Sequence, residues 1–146
     1  MKNKSILGLV GIVTICLVIG GIFFLNIPER ATHKFLLPQG YTGWVEVTYE
    51  QPGYPALKKE NDTFIYEVPS SGKIMTSSPN ITGSVVLSYL EPDGSRTDFP
   101  TDVRMIHGLG TSSGERLNAD GSQEGFPEKL TFFVGTEEQW GGQPSP

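Results

Sequence analysis

Polar and apolar positions alternate along most of the chain beyond residue 40. Trp44 to Tyr49 sets Val45, Val47 and Tyr49 on one face and Trp44, Glu46 and Thr48 on the other. Thr63 to Val68 repeats the pattern with Phe64, Tyr66 and Val68, and Ser84 to Leu90 does so with Val85, Leu87 and Tyr89. Lys129 to Gly135 closes the series with Leu130, Phe132 and Val134. Shorter runs lie at Lys73–Thr76, Arg96–Phe99 and Val103–His107. A period of two is the signature of a strand with one buried face. Pro69-Ser70-Ser71-Gly72 and Glu91-Pro92-Asp93-Gly94 separate such runs. Pro presets one turn residue in these segments, and Gly accepts positive φ. No amphipathic helical pattern intervenes. The prediction is an all-β domain, an antiparallel β-sandwich of about seven strands. Its core would draw on Val45, Val47, Phe64, Tyr66, Val68, Val85, Leu87, Leu130, Phe132 and Val134.

Two stretches lack the strand pattern. Gln51–Asp62 holds two prolines, and Gly108–Pro127 holds five glycines with few large apolar residues, so both read as loops. Thr136-Glu137-Glu138-Gln139 has the spacing of a capping box, in which the Thr hydroxyl and Gln side chain satisfy free backbone N–H groups. One helical turn closing on Trp140 is expected, with 141–146 a disordered tail.

The N-terminal part follows a different rule. Residues 6–25 are apolar apart from Thr14, and no charge occurs between Ser5 and Pro28. As a helix, that length matches the ~30 Å hydrocarbon core of a bilayer. Lys2 and Lys4 precede it, and the positive-inside bias then puts residues 1–5 in the cytoplasm. The expected organisation is a transmembrane anchor at 6–25, a linker at 26–33 and an extracytoplasmic domain at 34–140. The protein would be a single-pass protein of the cell membrane. Cys16 follows Ile15 in mid-span rather than a small residue, which argues against a lipid-attachment signal there.

Composition narrows the chemistry. Of 146 residues, 18 are Gly and 11 Pro, far above the usual share and suited to a turn-rich fold. A single Cys leaves no internal disulfide and no Cys-based zinc site. From Ala31 onward eight positive charges face fifteen negative ones, the opposite of a nucleic-acid footprint. Gly110-Thr111-Ser112-Ser113-Gly114 spells G-x-S-x-G, yet no helix pattern follows to make the strained turn that exposes such a serine. Gly108-Leu109-Gly110 lacks the βαβ context of a dinucleotide loop. His33 and His107 stand 74 positions apart with no third ligand proposed by the spacing. Asn118-Ala119-Asp120-Gly121 has the middle of a calcium loop, but Arg116 and Pro127 occupy its required acidic ends. Asp120 and Glu124 are left as oxygen donors, and a plain Asx turn is expected. No cofactor, no metal and no catalytic residue is predicted, and the domain is read as non-enzymatic.

Phe35–Val45 (FLLPQGYTGWV) and Phe132–Trp140 (FFVGTEEQW), with Tyr66-Glu67-Val68-Pro69, Gly72 and Thr76-Ser77-Ser78 between them, resemble an uncharacterised family known only as a domain of unknown function. The resemblance implies an exported, lipid- or membrane-tethered protein of Gram-positive bacteria and transfers no catalytic residue. The order of strands and turns is also similar to transthyretin-type and carboxypeptidase-regulatory sandwiches, an analogy of fold alone.

The remaining candidates are aromatic. Tyr41, Trp44, Tyr54 and Trp140 could form a binding surface, Trp44 because its parity points it away from the core unless another layer covers it. The expected role is a protein-interaction module at the cell envelope. Its partner would be a membrane or envelope protein, met through Gln51–Asp62 and Gly108–Pro127. The alternatives are a cell-wall carbohydrate-binding module and a small hydrolase. No nucleic-acid partner is expected.

Overall fold

The alternating runs fold as strands, and so do stretches in which no alternation is visible. The computed structural model describes residues 30–141, 143 and 146. Nine strands follow in order: β1 (Ala31–Pro38), β2 (Gly43–Thr48), β3 (Lys58–Glu60), β4 (Thr63–Glu67), β5 (Lys73–Met75), β6 (Gly83–Leu90), β7 (Arg96–Asp98), β8 (Ile106–Leu117) and β9 (Gln123–Val134). A single helical turn, α1 (Glu137–Trp140), ends the domain. Ala31–Pro146 is one compact unit, and the described strands pair with one another inside it.

The strands form two sheets, ordered β3-β4-β1-β6-β7 and β5-β2-β9-β8. Phe35 on β1 meets Phe132 on β9 edge to face, ring centres 4.8 Å apart, so the sheets stack on their apolar faces. Eight of the ten expected core residues are buried in that layer, while Phe64 and Val85 pack partly buried against it. Phe35, Leu37, Tyr49 and Phe99 complete it.

The antiparallel sandwich of about seven strands is corrected on two counts. Both sheets are mixed. β1 pairs in parallel with β4 and with β6, and β2 pairs in parallel with β5. The cause lies in the route of the chain, which crosses to the other sheet after β1, β2, β4, β5 and β7. These excursions bring β4 and β6 back parallel to β1 and β5 back parallel to β2, so the other sheet acts as the crossover that a helix provides in βαβ units. There are also nine strands. β1 begins within the segment read as linker and is the central strand of the larger sheet. β3 forms inside Gln51–Asp62, and β8 starts in the expected Val103–His107 run and continues into Gly108–Pro127, read as a loop.

The predicted anchor at 6–25 lies outside the described residues, as does Cys16. Among the described residues no helix is long and apolar enough to cross a membrane. The expectation of a single-pass membrane protein is corrected accordingly, because no described element supplies a span.

Turn chemistry behaves as the sequence predicts. Glu91-Pro92-Asp93-Gly94 joins β6 to β7, with Gly94 at φ 85° and its N–H donating to the Glu91 carbonyl at 2.9 Å. At α1 the Thr136 hydroxyl accepts from the Gln139 N–H at 3.3 Å, and Gln139 Oε1 accepts from the Thr136 N–H at 2.8 Å.

One element departs from the compact layers. β9 pairs with β2 only from Lys129 to Val134. From Gln123 to Phe126 its described partner is β8 alone. The β8–β9 hairpin therefore runs on past the sheet as a two-stranded ribbon, about 17–20 Å long at ~3.3 Å per residue. Two register shifts interrupt the hairpin, one at His107/Gly110 opposite the part of β9 that still pairs with β2, the other at Ser112/Gly114 where that pairing ends.

Candidate functional site

Three features of the domain could meet a partner or ligand: the ribbon, the outer aromatic face of the four-stranded sheet, and a cleft at one end of the sandwich.

The ribbon carries apolar groups that its own two strands cannot bury. Leu117 is 70% exposed and Phe126 45% exposed. The Arg116 guanidinium lies 5.3 Å from the centre of the Phe126 ring, a cation–π contact in water. At the tip the Gly121 N–H donates to the Asn118 carbonyl at 3.0 Å. Asp120 Oδ1 accepts from the Ser122 N–H at 2.9 Å and from its hydroxyl at 2.6 Å. Those two bonds hold the Asp120 carboxyl below its ordinary range. Asp120 thus closes an Asx turn, while Glu124 lies opposite Arg116 in the strand register. Gly110–Gly114, the G-x-S-x-G letters, lie along β8 rather than on a strand-to-helix turn. Among the described residues, no three His, Cys, Asp or Glu side chains converge on a point that could hold a metal ion.

The four aromatic candidates divide. Trp44 packs edge to face on Phe133 with ring centres 5.7 Å apart, and its Nε1 is buried without a hydrogen-bond partner. Trp140, carried by α1, stacks on His107 at 5.2 Å. Gly108 sits between the two tryptophans, since a Cβ there would stand 3.2 Å from Trp44 Cη2 and 3.4 Å from Trp140 Nε1. Trp44 and Trp140 therefore belong to one cluster with Phe133 and His107, covered by the C-terminal turn. His107 Nε2 donates to the Arg104 carbonyl at 3.1 Å. Tyr41 lies at the same N-terminal end of β2 but packs against the core, its hydroxyl donating to the Trp44 carbonyl at 2.7 Å, and burial raises its pKa. Tyr54, 47% exposed, stands apart from these three in a groove with Pro55, Ile74 and Met75. The four do not form one surface.

The cleft is the feature that sequence reasoning missed. It measures about 380 Å³ and opens between β6 and the β8–β9 hairpin, with the segment 80–82 at its lip. His33 borders it and is 4% exposed. The imidazole Nδ1 shares a 2.8 Å hydrogen bond with the Tyr66 hydroxyl, which lies 3.3 Å from the Tyr49 hydroxyl. Nε2 is buried with no partner. Burial lowers the His33 pKa, with the Ile81 backbone opposing weakly, so the ring is neutral at pH 7. Burial likewise raises the pKa of Tyr66 and of Tyr49. Gly83 makes the arrangement fit, since a Cβ there would fall 2.6 Å from His33 Cδ2 and 2.7 Å from Nε2. At the rim Asn80 Nδ2 donates to Glu128 Oε1 at 2.8 Å. No local signal in the sequence joins residues 33, 80 and 128, because five crossings between sheets lie between the first and the last of them.

These features define a two-layer β domain of mixed sheets with a projecting ribbon and a single-ended cleft. The chain belongs to a family of unknown function, DUF6843, whose model matches residues 29–139. No curated protein matches it. Among solved structures it is similar to a putative lipoprotein from Bacillus anthracis, at 24% identity and a TM-score of 0.57, over 81% of this chain and 82% of that one. At that identity the likeness is one of fold.

Proposed function

We propose that the protein is an envelope-associated domain, tethered at the membrane surface by its N-terminal segment, that works as a protein-interaction module through the β8–β9 ribbon. The observation that carries this reading is the ribbon itself. Two strands with both faces in water rarely hold together unless they pack on something. This pair nevertheless presents Leu117 and Phe126 to solvent. Exposed apolar groups on a projecting element favour a protein partner that covers them. The name of the Bacillus anthracis structural neighbour supports the tethered location, and lipid attachment is the mode that name carries. The role is one of binding, without a catalytic step. The packing of Trp44 edge to face on Phe133 favours a protein partner over a wall glycan, which would use an open aromatic platform.

Photo-crosslinking in intact cells tests this proposal, with the crosslinking residue placed at Leu117, at Phe126 and at the distant Met75. The expected result is one recurrent protein adduct from the two ribbon positions and none from Met75. Equal labelling from all three positions would overturn the reading, as would ribbon-independent retention of the domain on wall polysaccharide.

A further inference from the structure

The cleft beside His33 has a chemistry distinct from that of the ribbon. Its volume of about 380 Å³ lies in the ~300–1,000 Å³ range of small-ligand sites. Glu128 is the one charged side chain in its lining beside the neutral His33. Among the described residues Glu128 has no ion-pair partner. The neighbouring Lys129 points to the opposite face of β9, where its Nζ lies 3.3 Å from Glu46. Asn80 Nδ2 fixes Glu128 Oε1 at 2.8 Å, which leaves the other carboxylate oxygen and the Asn80 amide oxygen as acceptors. The walls are apolar, formed by Val85, Leu109 and Leu130. On the floor the unpartnered Nε2 of His33 belongs to a ring without charge, so nothing there repels a cation.

A half-buried carboxylate with no counter-charge, two free acceptor oxygens and an apolar wall suit one ligand class. An anion would meet Glu128 unopposed. A neutral apolar molecule would leave the carboxylate to be desolvated with nothing in return. An organic cation supplies the missing charge and covers the wall. We propose that the cleft between β6 and the β8–β9 hairpin binds a small organic ammonium compound, its nitrogen on Glu128 and Asn80 and its carbon skeleton against Val85 and Leu130. This inference stands on different residues from the ribbon contact and does not depend on it.

The test is a ¹H–¹⁵N NMR titration of the compact unit Ala31–Pro146 with cyclohexylammonium. Cyclohexanol and cyclohexanecarboxylate at equal ionic strength are the neutral and anionic matches. The expected result is saturable shifts at Ile81–Gly83, Gly110 and Thr111 with the cation, with cyclohexanol binding roughly ten-fold more weakly and the carboxylate not at all. Glu128→Gln should weaken the cation roughly ten-fold as well, since it keeps the shape and the Asn80 contact but removes the charge. Equal response to the cation and to cyclohexanol would overturn the proposal. So would shifts that map outside the cleft, the absence of saturation in the millimolar range, or a folded Glu128→Gln protein that binds as well as the parent. The comparison of the three probes on the unmodified protein decides the matter even where a variant fails to fold.

Discussion

Tyr66→Phe removes one oxygen from the centre of the sandwich and leaves its shape intact. That hydroxyl lies 2.8 Å from His33 Nδ1 and 3.3 Å from the Tyr49 hydroxyl, and all three residues are at most 4% exposed. His33 Nε2 has no partner in hydrogen-bond geometry, so the substitution removes the ring's one well-formed side-chain bond. Leaving a buried polar atom unsatisfied costs about 1–3 kcal/mol. For a unit of this size a kilocalorie shifts Tm by about 4 °C, so the variant should melt roughly 4–12 °C below the parent. Thermal unfolding followed by near-UV circular dichroism measures this directly, and urea unfolding gives the free energy. His33→Leu combined with Tyr66→Phe should cost less than the two single changes added together, because replacing both partners by apolar groups leaves less unpaired. A Tyr66→Phe protein melting within a degree of the parent would refute the reasoning, as would strict additivity in the double variant.

Two further outcomes follow from burial and charge. Phe132→Ala should cost about 3–5 kcal/mol, because its fully buried ring packs across the sheets on Phe35. The same change at Phe126 on the ribbon should stay within about 0.5 kcal/mol in urea unfolding, and equal costs would dismiss the ribbon as a separate element. The third outcome concerns acid. Since burial lowers the folded-state pKa of His33, the unfolded chain takes up that proton first as pH falls below the ordinary value of 6.5. Stability is therefore complete above about pH 6.5 and declines below it, by at most ~1.4 kcal/mol per pH unit from this group. His33→Leu should flatten the urea midpoint between pH 6.5 and 5, and an unchanged slope would sink the assignment.

The inner face of the domain is written plainly in the sequence, and the reasons it is so also explain what is hidden. Val45, Val47, Leu130, Phe132 and Val134 share the inward face of β2 and β9, where the pleat repeats an apolar residue every second position. β1 is buried on both faces at its C-terminal end, with Leu36 at 2% exposure behind Phe35 and Leu37 at 0%. A central strand flanked by parallel partners reads as a continuous apolar run, and the polar His33 and Lys34 before it resemble a linker. His33 is nonetheless interior, and Lys34 reaches Asp98 on the outer face at 3.2 Å. β8 fails in the opposite way. From Gly108 to Leu117 both its faces meet water, so no buried side imposes a period and glycines are tolerated. Parallel pairing was not legible at all, because it depends on which sheet each strand joins, and alternation carries no information on that.

The ribbon and the cleft share a structural base. Leu109, Gly110 and Thr111 wall the cleft, and they belong to the same strand that runs out to Leu117. The register shift between His107 and Gly110 falls beside the cleft wall, where Gly108 takes φ 59°, and the shift between Ser112 and Gly114 falls where β9 leaves β2. A ribbon bent at a bulge has fewer ladder bonds to resist a change of angle than one continuous with its sheet. If the proposed ribbon partner held that angle fixed, it would also hold the cleft wall, and the proposed ammonium ligand seated on that wall would act on the same strand. Binding free energies coupled in this way are reciprocal: each ligand must raise the affinity of the other by the same factor, or lower it by the same factor. Because β8 carries both Leu109–Thr111 and Leu117, the proposed ribbon contact and the proposed cleft ligand would act on one strand.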